Sequence, residues 1–79
     1  MRIIDLLESV QWDFDLEDLH ILETDASGDD NLLYQYDISN GDYYNVPNDA
    51  RIYKVISWKV VAYTDMDGLV GYYDLLVWV

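Results

Sequence analysis

No cysteine occurs in this chain, which excludes disulfide staples, thiolate metal sites and cysteine nucleophiles. Basic residues are nearly as scarce: four Lys and Arg stand against 16 Asp and Glu, a formal net charge of −12 on 79 residues. Such a surface repels both nucleic acid and anionic lipid, so a basic partner is expected. Histidine occurs once, at His20, and no G-x-S-x-G elbow accompanies it, so a nucleophilic triad has no material. The four glycines fall at turn-like or strand positions and build no phosphate-binding loop. No apolar run approaches the ~20 residues of a membrane helix. Met1 to Val10 carries Asp5 and Glu8 inside its apolar stretch, unlike a signal peptide.

Hydrophobic residues make up 52% of the chain and aromatics 15%, too much for a solvated acidic tail. A single folded domain covering residues 1–79 is expected. A domain of this size buries about 60% of its unfolded surface, so large catalytic clefts are not anticipated and the protein reads as a non-enzyme. The lack of cysteine suits a cytoplasmic setting.

Ile3, Ile4, Leu6, Leu7 and Val10 recur at helical spacing and predict a helix over residues 2–10. From Gln11 to Leu22 two periods compete. Trp12, Phe14 and Leu16 alternate with Asp13, Asp15 and Glu17 as in a strand, whereas Leu16, Leu19, His20 and Leu22 share one side of a helix capped by Asp15. The helix is the favoured reading, making residues 1–24 mainly helical. Residues 26–31 form a polar turn. Leu32 to Ile38 and Tyr43 to Val46, flanking Asn40-Gly41, predict a hairpin. Residues 51–64 and 69–79 predict two further strands joined at Asp65-Met66-Asp67-Gly68. The expected fold is α+β, a short N-terminal helical part packed on a four-stranded antiparallel meander over residues 32–79. Both faces of the last two strands are apolar, so a face uncovered by helix calls for a curled sheet, a partner or a homodimer through the sheet.

The carboxylates are the main functional material. On regular structure, side chains at i and i+2 of a strand lie about 6.6 Å apart, and helical neighbours about 5 to 6 Å, spacings that can imitate a phosphate row. Asp13, Asp15, Glu17, Asp18, Asp29 and Asp30 cluster in two short segments and are the expected contact acids. Tyr43 and Tyr44 are the expected aromatic anchors of an interface, where Tyr is enriched. The tyrosines and tryptophans together resemble a stacking platform for single strands, but one without the basic groove that would hold the backbone. Neither the acids around Gly28 nor Asp65-Met66-Asp67-Gly68 meets the spacing of a calcium loop, so no metal and no cofactor is expected. His20, beside Leu19 and Ile21, reads as structural.

In composition and layout the whole chain resembles the phage-encoded DNA-mimic inhibitors: small, cysteine-free, strongly acidic α+β proteins such as many anti-CRISPR proteins and the uracil-DNA glycosylase inhibitor. Leu7-Glu8-Ser9-Val10 looks like the Glu-Ser-aliphatic element that the glycosylase inhibitor inserts into its target. The resemblance implies a non-enzymatic inhibitor in a bacterial host cytoplasm that occupies the DNA-binding groove of a CRISPR effector. Arg and Lys that contact target DNA would then pair with Asp and Glu here. The alternatives are an inhibitor of uracil-DNA glycosylase or another DNA-binding enzyme, and an immunity protein or antitoxin for a basic nuclease toxin.

Overall fold

The computed structural model describes residues 1–10, 16–39, 45–64 and 66–79. Its first element is the expected helix, α1 (Ile3–Val10). Ile3, Leu6 and Leu7 are fully buried, the i, i+3, i+4 spacing that lines one helix face. Asp5 secures the helix start. Its carboxylate accepts the Arg2 backbone N–H at 3.0 Å and the Arg2 guanidinium at 3.2 and 3.3 Å, the backward-reaching half of a capping box.

The second helix expected from Asp15 is a strand, β1 (Leu16–Thr24), so residues 1–24 are not mainly helical. The cause is a register shift between Leu16 and Asp18. The extra residue turns both Leu16 and Leu19 inward, three positions apart, and so imitates a helical face. Beyond the shift the strand alternates in the ordinary way, with Leu19 and Ile21 fully buried.

β1 turns back antiparallel into β2 (Asp30–Asp37). The chain then crosses the molecule through a short helix, α2 (Asn48–Arg51), to β3 (Ser57–Thr64), which turns back antiparallel into β4 (Val70–Trp78). The strands lie in the order β2-β1-β4-β3, and the central pair β1 and β4 runs parallel. The sheet is therefore mixed and not the expected antiparallel meander. A meander places sequence neighbours side by side, but here the crossing carries the chain from one sheet edge to the other. The expected second strand of an Asn40-Gly41 hairpin fails where it can be seen, because Asn45 and Val46 are not in a strand; Asn40 to Tyr44 lie outside the described residues. The strand expected over residues 51–64 starts only at Ser57.

Ile38, Val46 and Ala50 from the crossing join Ile3, Leu6, Leu7, Leu16, Leu19, Ile21, Leu75 and Val77 in one buried core. Met1 to Ile3 is fastened to the segment before β3: Ile3 N–H donates to Tyr53 O at 3.0 Å and Val55 N–H to Met1 O at 2.8 Å. One side of the sheet thus carries the helices. Among the described residues no helix packs on the other, the open face, and the molecule is 17 Å thick along its shortest axis.

Candidate functional site: an acidic ribbon opposite a cationic edge

Register assigns side chains to the two faces of the sheet. Leu19, Ile21, Leu75 and Val77 point into the core, so Asp18, His20 and Leu22 of β1, with Asp74, Leu76 and Trp78 of β4, point to the open face. Cross-strand partners extend this into rows. Asp37, Asp18, Asp74 and Val61 lie abreast in one row, and Gln35, His20, Leu76 and Lys59 in the next. Three carboxylates side by side repel one another.

The first row is tied together by hydrogen bonds. Asp74 is the buried polar side chain among the described residues, at 4% exposure. His20 Nε2 donates to its Oδ2 at 2.9 Å and the Asp18 backbone N–H to its Oδ1 at 3.2 Å. His20 is thus structural in part, as expected, but its partner lies 54 residues away and left no local signal. Gln35 Nε2 reaches the Asp18 carboxylate at 3.4 Å.

At the far end of the same ribbon, the β1–β2 turn is built around Asp25. Its Oδ1 accepts the N–H groups of Ser27 at 2.9 Å and Asp29 at 3.0 Å, and its Oδ2 accepts Asn31 Nδ2 at 3.1 Å. The Asn31 side chain, with the backbone N–H groups of Asp29, Ser27 and Gly28, holds the Asp25 carboxyl below its ordinary pKa. Arg2 does the same for Asp5, and the Ser39 hydroxyl and N–H for Asp37. Bonds to the charged form keep all three ionised, and those on Asp25 and Asp37 come from neutral groups and leave their charge uncancelled.

The expected contact acids separate into three groups. Glu17 and Asp18 stand at the start of β1, while Asp29 and Asp30 stand at the turn, about 20 Å away along six residues of strand. Asp13, Asp15, Tyr43 and Tyr44 lie outside the described residues. Asp30 accepts Thr24 Oγ1 at 2.8 Å and Trp78 Nε1 at 3.0 Å. Glu8 and Ser9 are exposed on α1, where Ser9 Oγ donates to Leu6 O at 3.0 Å.

The opposite edge reverses the charge. Residues 50–64 contain Arg51, Lys54 and Lys59, three of the four basic residues, and no acid; thirteen of the sixteen acids precede residue 50. β3 is one edge strand and β2 the other, about 14 Å apart at ordinary strand spacing. Between them Trp78 forms a bridge. Its indole N–H holds Asp30, while Lys59 Nζ sits 5.7 Å from its ring centroid. Exposed aromatics stand on both sides: Tyr63 stacks on Tyr72 at 4.9 Å between centroids and Trp58 is exposed on the β3–β4 side, while Tyr34 on β2 is exposed and stacks on Tyr36.

Among the described residues no helix is long and apolar enough to cross a membrane. Comparison with protein-family models, with curated proteins and with solved structures finds no match to this chain.

Proposed function

We propose that this chain is a non-enzymatic DNA mimic, an anti-CRISPR protein that occupies the DNA-binding groove of a CRISPR effector complex and blocks target DNA. The observation that carries the reading is the polarity of the sheet. The acids are concentrated on the β1–β2 side, and the opposite edge over residues 50–64 has none. A surface meant only for solubility has no need of that segregation, whereas a groove of Arg and Lys can grip one edge of its ligand.

Glu17, Glu23 and Asp29 are the contact acids of choice among the described residues, because all three are exposed and none is spent on an internal hydrogen bond. Inhibition works by occupancy: the charge steers the encounter and the effector's basic residues pair with carboxylates instead of phosphates. The host cytoplasm is where the two meet.

The test is competition. A purified effector loaded with guide RNA is titrated with labelled target duplex in the presence of this protein. The proposal expects the duplex affinity to fall in proportion to the protein added, and the protein's own affinity to drop steeply between about 50 and 300 mM salt as screening shortens to below 10 Å. A ternary complex retaining full duplex affinity overturns it.

A further inference from the structure

We propose that Asp18, His20 and Asp74 form a binding site for a first-row divalent transition metal of the zinc class, independent of the inhibitory reading above. One donor atom from each residue lies within 4.8 Å of the other two. The arrangement follows from the sheet. Asp18 and His20 are two residues apart on the open face of β1, and Asp74 is the direct cross-strand partner of Asp18 on β4. Two positions on one strand and a third on its neighbour converge on one point above the sheet, on paired central strands of the sheet.

Two observations besides the acidity point to a cation. The first is the imidazole, a ligand that favours zinc-class ions over calcium or magnesium. The second is Asp74, a carboxylate more than nine-tenths buried, flanked in its row by Val61 on one side and by the carboxylates of Asp18 and Asp37 on the other, with Leu76 and Lys59 in the next row. Two neighbouring carboxylates require a counter-charge, and among the described residues the one cationic or protonatable group bonded to Asp74 is His20. A divalent ion supplies that charge in full.

The required movement is small. Ligands at about 2.0–2.2 Å from a tetrahedral ion stand about 3.3–3.6 Å apart. The His20 Nε2 to Asp74 Oδ2 distance of 2.9 Å opens by about half an ångström, and Asp18 swings in by about an ångström. Metal takes the Nε2 lone pair of the neutral ring while the proton sits on Nδ1, and an imidazolium must first release its Nε2 proton to solvent, so affinity falls on acidification. The Asp18 backbone N–H stays on Asp74 Oδ1 and orients that carboxylate from behind. Three protein ligands leave a position for water or for a side chain of a bound partner.

Because His20 is the chain's single histidine, its ring nitrogens report the site without any substitution. Zn²⁺ is titrated into ¹⁵N-labelled protein and the imidazole nitrogens are followed, beside calorimetry on the wild type, His20→Gln and Asp18→Asn. The site predicts one equivalent of Zn²⁺ bound with a shift of His20 Nε2, affinity weakened more than about tenfold in both variants, and no matching shift with Mg²⁺. Zn²⁺ binding that leaves the His20 nitrogens unmoved, binding undiminished in His20→Gln, or no binding at all each overturns it. The wild-type resonance decides the matter even if a variant does not fold.

Discussion

Hairpin β1–β2 and hairpin β3–β4 have the same backbone plan, each closed by a glycine at positive φ, Gly28 at +85° and Gly68 at +79°. They diverge in what they expose. Both expose aromatics, Tyr34 on β2 and Trp58, Tyr63 and Tyr72 on β3 and β4, but the first presents Glu17, Asp18, Glu23, Asp29 and Asp30, while β3 of the second carries Lys59 and no acid. Side-chain alternation and a left-handed turn residue specify a hairpin whatever its charge. The turn plan leaves the charge free, and here one sheet has an acidic side and a cationic edge.

The largest effect is expected where the two hairpins join. Leu75 lies on β4 along its parallel pairing with β1 and is fully buried, so Leu75→Ala should cost about 2–5 kcal/mol in urea unfolding, much of the stability of a domain this small. If the hairpins were independently stable, far-UV circular dichroism would instead retain most of its strand signal. Asp74→Ala comes next. It strips the acceptor from His20 and from the Asp18 N–H, and should cost about 1–3 kcal/mol by the same measurement.

The shared turn geometry gives a matched pair. A Cβ on Gly28 or Gly68 meets nothing within 4 Å, so Gly28→Ala and Gly68→Ala should each lose about 1 kcal/mol through backbone strain alone. A markedly larger loss at Gly28 would show that the Asp25 hydrogen-bond cage adds to the strain. Acid should separate the hairpins more gently. The Asp25 and Asp37 carboxyls have folded pKa values below the ordinary 3.8, so their contribution is complete above that value and is lost as pH falls through the lower folded values. Amide exchange at Ser27 and Asp29 should therefore lose protection below about pH 4, once corrected for intrinsic rates.

Part of this was legible from sequence. The spacing of Ile3, Leu6 and Leu7 gave α1, and the Asp-Gly turn ending at Gly68 gave the β3–β4 hairpin, because both depend on residues within a few positions. β1 was legible only as the less favoured of two readings, since the register shift beside Glu17 put Leu16 and Leu19 at helical spacing. The parallel β1–β4 pairing and the His20–Asp74 bond were out of reach for another reason. Both depend on partners more than fifty residues apart that only the crossing of the chain brings together. The cage around Asp25 had a local sign, an Asp two residues before Ser27 in a glycine turn, which reads as an Asx turn and not as a surface acid.

The central claim is that the acidic ribbon, and not the cationic edge, meets the basic partner. Duplex competition on a guide-loaded CRISPR effector should be compared for two variants, the triple Glu17→Gln, Glu23→Gln, Asp29→Asn and the double Lys54→Gln, Lys59→Gln. The account predicts that the triple variant loses at least about tenfold in competing strength and the double variant loses none. Equal losses in both, or a triple variant that competes as well as the wild type, would contradict it.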